Sequence, residues 1–121
     1  LCALPVIASA TDQRFASPAG NISCNINQFV ATCTIDEYQA SFTDAPPDCD
    51  GIWGNTFYVL GRGEAEVGCL TAAEAAPERV LGYGQRIETG RIACISRLTG
   101  ITCTNTEGRG FSVRRAEQRI F

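Results

Sequence analysis

Histidine, lysine and methionine do not occur among the 121 residues of this sequence. Without histidine the chain lacks the usual general base near neutral pH and the commonest metal ligand. No serine has a histidine to activate it, which excludes a Ser-His-Asp triad. There is no C-x-x-C, which argues against thiol–disulfide exchange. A zinc knuckle needs that closer spacing and usually histidine as well. Gly61-x-Gly63 lacks the third glycine and following helix of a dinucleotide site. Asp48-Cys49-Asp50-Gly51 brings its glycine too early for an EF-hand loop. No apolar run approaches the roughly 20 residues that span a bilayer. Metal, cofactor and catalytic residues are therefore all expected to be none.

What is present is a repeat. Gly20-Asn21-Ile22-Ser23-Cys24 closes eight residues later at Cys33-Thr34, and Gly90-Arg91-Ile92-Ala93-Cys94 closes after the same interval at Cys103-Thr104. Thr32 and Thr102 precede the two closing cysteines. Ile22, Cys24 and Ile26 share one face by the two-residue period of a strand. Each copy reads as a β-hairpin with a disulfide between facing strands, where Cα atoms lie about 4.5–5.5 Å apart. The repeat is too long for a solenoid unit. At 45% apolar and 19% charged, the chain is globular and of a length for one domain.

The opening Leu1–Ala10 is an apolar run ending Ala8-Ser9-Ala10, as a secretory signal peptide ends, which puts the mature start at Thr11. Cleavage there removes Cys2 and leaves six of the seven cysteines. The other reading is the remnant of an uncleaved anchor. Residues 11–121 are then one disulfide-stapled domain, expected in an oxidising compartment.

Along the chain, Asp12–Ala16 reads as a short strand, followed by the first hairpin with its turn near Asn27–Phe29. Asp36–Asp50, with Pro46-Pro47, is irregular. Trp53–Leu60 and the alternating Ala65, Val67 and Cys69 form a middle hairpin across the Gly61-Arg62-Gly63 turn. Cys49 and Cys69 remain to pair with each other, beside Cys24–Cys33 and Cys94–Cys103. Six cysteines allow about 15 connectivities, so these pairs rest on locality. Thr71-Ala72-Ala73-Glu74 is a capping box, giving one helical turn at Ala72–Ala76 that Pro77 stops. Phe111–Arg115 is a last strand, and Ile120 and Phe121 are expected to pack on the core, as is Trp53, whose alternative role is a ligand platform. The expected fold is all-β: a small disulfide-rich antiparallel barrel or sandwich of three hairpins, with at most one helical turn near 72–76.

Ser17-Pro18-Ala19-Gly20-Asn21-Ile22-Ser23-Cys24, Trp53-Gly54, Leu81-Gly82-Tyr83-Gly84, Gly100-Ile101-Thr102-Cys103-Thr104-Asn105 and Gly108-Arg109-Gly110-Phe111 follow in that order. Together they resemble a family of small exported bacterial proteins with an SPSGNIxC opening and a GxGF motif near the end. Ala19 and Ser23 stand where serine and glycine are common there, and Arg109 where histidine is common. The resemblance implies export and disulfides, and hands over no activity.

The net charge of −3 is unevenly spread: residues 1–78 carry two arginines against ten acids, residues 79–121 eight arginines against three. Either the second half offers an arginine face to an anionic partner, or strands of both halves interleave and the charges cancel. Arg109, Arg114, Arg115 and Arg119 are the candidate anion- or partner-binding residues. Arginine forks suit an anionic lipid head group, an anionic glycan or an acidic patch on an envelope protein. Nucleic acid is disfavoured by charge and by export. The expected function is a non-catalytic exported binding or accessory module of the bacterial envelope (periplasm or cell surface), as a possible subunit of a larger complex. One alternative is an inhibitor of an exported hydrolase, with Asp44–Gly51 entering the target's cleft. Another is a glycan hydrolase using Asp48/Asp50 or Glu64/Glu66. Alternate strand residues lie about 6.5–7 Å apart, inside the range a glycosidase needs, but so do those of any solvated strand.

Overall fold

Period-two alternation of apolar and polar side chains marks the strands of the two disulfide-bonded hairpins. The computed structural model describes residues 12–73 and 75–121, so the segment expected to be a signal peptide or anchor remnant, with Cys2, lies outside the described residues. The strands are β1 (Gln13–Ala16), β2 (Ile22–Ile26), β3 (Val30–Ile35), β4 (Ile52–Leu60), β5 (Glu66–Leu70), β6 (Arg79–Val80), β7 (Arg86–Thr89), β8 (Ile92–Arg97), β9 (Gly100–Asn105), β10 (Gly110–Val113) and β11 (Gln118–Ile120). They form two sheets, ordered β5-β4-β3-β2-β1-β6 and β11-β10-β9-β8-β7. Both sheets have free edges, so the architecture is a sandwich and not a closed barrel. Every pairing is antiparallel except that of β6 with β1.

The register extends the sequence repeat well beyond its hairpins. Phe15, Cys24, Cys33, Phe57 and Val67 form one row across the first sheet. Ile87, Cys94, Cys103, Phe111 and Ile120 form the matching row across the second. Each sheet is thus the same five-strand meander, and the expected hairpins are parts of it. The rows meet face to face: the Phe57 and Phe111 rings are 6.1 Å apart between centroids, and Cys33 Sγ touches Cys103 Sγ at 3.8 Å. Cys24–Cys33 and Cys94–Cys103 therefore stack as a sulfur layer in the centre of the core, each no more than 5% exposed. Their Cα separations of 4.1 and 4.0 Å mark the closer type of antiparallel pair. The third disulfide, Cys49–Cys69, is half-buried at the margin, with Cα atoms 5.8 Å apart.

The copies differ most in one connection. Between β9 and β10 the chain turns within Thr106–Arg109, whereas between β3 and β4 it inserts residues 36–51. Gln118 holds the first part of this insertion down. It is 2% exposed, and its amide oxygen accepts from Ser41 N–H while its amide nitrogen donates to the carbonyls of Gln39 and Arg114. Its own N–H donates to Ser41 Oγ. Phe42 then reaches Phe57 edge-on at 5.6 Å. That approach requires Gly54, where any Cβ would overlap the Phe42 carbonyl oxygen and φ is +96°. Asn105 plays a similar part for the β4–β5 turn, donating to the carbonyls of Leu60 and Gly63.

Three expectations are corrected. The helical turn at Ala72–Ala76 does not form among its described residues, which are exposed and without helical structure. One capped turn cannot offset helix nucleation when no face packs against the protein. Trp53 is half-buried opposite Cys69 and stands outside the central cluster. Ile120 and Phe121 instead extend the β10 edge, 38% and 37% exposed.

Candidate functional site

The repeat predicts equivalent packing at both ends of the sandwich, and the two ends differ. At one end, Gln28 in the β2–β3 tip lies against Gly90, where a Cβ would come 2.9 Å from the Gln28 carbonyl oxygen. Displaced by the repeat interval, the counterpart pair at the other end is Leu98 in the β8–β9 tip and Gly20 in the β1–β2 turn. A Cβ on Gly20 would meet nothing within 4 Å. The unfilled space is a cleft of about 190 Å³. The β1–β2 turn contributes Ser17, Ala19 and Asn21, and β2 contributes Ile22. The opposite wall is Arg97 through Gly100, with Tyr83 and Arg115 flanking it.

The cleft walls are held by hydrogen bonds, and its exposed margin mixes apolar side chains with arginines. Asn21 donates its amide to the Glu37 carbonyl at 2.9 Å and accepts from Glu37 N–H at 2.8 Å. Ser17 Oγ accepts from Ile22 N–H at 3.1 Å. Leu98 is 80% exposed and Tyr83 53% exposed. Among the described residues Arg97 has no carboxylate within ion-pair distance. Arg115 pairs with Glu37 at 3.2 Å, but both side chains are mostly exposed, so an incoming anion can displace a pair of this kind. Chemically, the site offers the exposed guanidinium groups of Arg97 and Arg115 beside the exposed side chains of Leu98 and Tyr83.

Of the arginines singled out in the sequence, only Arg115 lines this cleft. Arg114 lies beside it in the β10–β11 turn and pairs with Glu117 at 3.0 Å. Arg109 lies at the other end of the same hairpin, 3.6 Å from Glu64, and Arg119 sits 5.7 Å over the Phe121 ring. The four are split by the length of β10, and three of them face an acid. Arg97 was missed by counting arginines near the chain's end. A better signal was Leu98 itself, an apolar side chain in a tight hairpin tip where polar residues are the rule.

The carboxylate candidates are all surface groups. Glu64 and Glu66 are exposed, and Tyr58 O–H donates to Glu66 at 3.2 Å. The Tyr58 phenol is held above its ordinary range, chiefly by burial, then by that hydrogen bond and the negative charge of Glu66. Asp48 and Asp50 are exposed in the insertion, next to the Cys49 anchor, and no metal-holding cluster occurs among the described residues. Asp44–Gly51 is exposed apart from Pro46 and Cys49.

Fold and cleft together define a small all-β sandwich domain, stapled by three disulfides and carrying an asymmetric recess between two turns. Residues 1–121 match the model of DUF6636, a family of unknown function, and the chain belongs to that family. No curated protein and no solved structure matches the chain. Three disulfides in a domain of this size fit an oxidising, extracytoplasmic location. Among the described residues no helix is long and apolar enough to cross a membrane.

Proposed function

We propose that the chain is a non-catalytic binding module of the bacterial cell envelope, exported and oxidised, which holds an anionic partner at the cleft between Gly20 and Leu98. The observation that carries this reading is the broken equivalence of the two ends. The repeat closes one end on Gly90, and the other stays open where Arg97, Arg115, Tyr83 and Leu98 meet. Every described carboxylate is exposed, which favours binding over the hydrolase alternative, since a general acid usually needs a sheltered carboxyl. The inhibitor alternative keeps one supporting feature, the disulfide-anchored and exposed Asp44–Gly51 segment.

Differential capture from envelope extract tests the reading. A component retained by the native protein and by Phe29→Ser, but lost with Arg97→Ala and Tyr83→Ala, supports the cleft. Identical profiles for all four proteins exclude it. Loss confined to substitutions in Asp44–Gly51 shifts the assignment to the inhibitor.

A further inference from the structure

The cleft's surroundings say what kind of anion it takes. Tyr83 belongs to the strap between β6 and β7, and β6, which leads into it, exposes Val80, 58% accessible, beside Arg79. Gly84 N–H donates to the Ser96 carbonyl at 2.6 Å, which ties the strap to the β8–β9 hairpin just before Arg97 and Leu98. Leu81 N–H donates to the Ala16 carbonyl at 2.9 Å, which ties it to the strand leading into Ser17. Val80, Tyr83 and Leu98 are thereby held on rigid backbone around one end of the sandwich. Arg79 and Arg97 stand among them, and neither has a carboxylate partner among the described residues.

A soluble glycan has no use for a leucine that is 80% exposed at a hairpin tip. Tyr83 gives a sugar one aromatic face, but glycan contacts also need amide donors, and the one cleft side-chain amide, Asn21, is already bonded to Glu37. An acidic protein surface would pair with the arginines but would meet the apolar rim without covering it. A membrane surface satisfies both parts. Apolar tips enter the boundary between head groups and acyl chains while arginines stay at the level of the phosphates. Tyrosine favours that same interfacial depth.

We infer that this end of the sandwich docks on an anionic phospholipid surface, with Leu98 and Tyr83 dipping below the head groups and Arg97 and Arg115 taking a phosphate into the cleft. The inference rests on the cleft being the working site and adds the identity of its partner. The long-range charge of the protein is unhelpful at −3, so attraction comes from the local arginines and is sensitive to salt.

Co-sedimentation of the oxidised protein with vesicles of phosphatidylcholine alone, or mixed with phosphatidylglycerol, tests this directly. Partitioning is expected only with phosphatidylglycerol and should fall as salt is raised. Arg97→Ala should weaken it about fivefold, the share of one arginine near an anionic surface. Leu98→Glu should abolish it, whereas Phe29→Ser at the closed end should leave it unchanged. Both Leu98 and Phe29 are largely exposed, so neither change threatens folding. Equal partitioning to both vesicle types, or binding indifferent to Leu98 and Arg97, overturns the inference. If vesicles are ignored but a soluble polyuronate binds in an Arg97-dependent way, the lipid assignment falls and the binding module stands. If neither ligand engages Arg97, both fall.

Discussion

Deleting the disulfides one pair at a time sets two physical effects against each other. Loop-closure entropy favours the longer loop. For the separations of 9 and 20 residues it gives about 2.6 kcal/mol for Cys24–Cys33 and about 3.3 kcal/mol for Cys49–Cys69. Packing favours the shorter one. Cys24 and Cys33 are 5% and 0% exposed, and Cys33 Sγ rests on Cys103 Sγ, so replacing both by alanine empties the centre of the core. Taking each lost sulfur as one buried methyl group adds roughly 1–3 kcal/mol. The half-buried Cys49–Cys69 pair adds little of this kind. Cys24→Ala/Cys33→Ala should therefore destabilise by about 4–5 kcal/mol and Cys49→Ala/Cys69→Ala by about 3 kcal/mol, reversing the loop-length order. Urea titrations followed by tryptophan fluorescence give both values, provided the slopes agree between variants. If the 49–69 deletion proves the more harmful, the sulfur layer is not the centre of stability and the reasoning fails.

Other perturbations have equally definite outcomes. Ser96 is fully buried with its hydroxyl unpartnered, and its repeat counterpart is Ile26, so Ser96→Val should raise stability by about 1 kcal/mol in the same titration. Gly20→Ala and Gly90→Ala both force an alanine into positive φ, at +78° and +60°, but only Gly90 also faces backbone. The first should lose about 1–2 kcal/mol and the second clearly more; equal losses would mean that the closed end is not closed. Gln118→Leu should cost about 1–3 kcal/mol by leaving its part-buried backbone partners unsatisfied, with amide exchange at Gln39–Phe42 accelerating more than in β2 or β8. Tyr58 has its folded titration raised above 10.0, so what it contributes to stability is complete below that pH and is lost as pH climbs through the folded midpoint. Glu66→Gln should bring the phenol's ultraviolet titration down; an unmoved midpoint would leave burial as the only cause.

The strands and their disulfide-bonded hairpins were legible in the sequence because two-residue alternation and equal cysteine spacing are local signals. Ile22, Cys24 and Ile26 declare a face without reference to anything distant. The extension of the repeat to five strands was not legible. Its further members, Phe57 and Phe111, follow their cysteines at unequal distances, and only the register reveals them as equivalent. β6 and β11 were also hidden, since strands of two and three residues carry no period to detect. The helical turn failed for the opposite reason: a local signal at Thr71–Glu74 was present, but no tertiary surface was there to reward it. The cleft was illegible because it is a difference between two ends that the sequence makes look alike.

Chemical-shift mapping with a short-chain, soluble phosphatidylglycerol tests the role of that difference most directly. The amides that should move are those of residues 17–22, Tyr83, residues 97–100 and Arg115, with saturation on titration. Shifts centred on residues 27–30 and 89–91 at the closed end, or spread evenly over both sheets, would contradict the assignment of the open end as the working face.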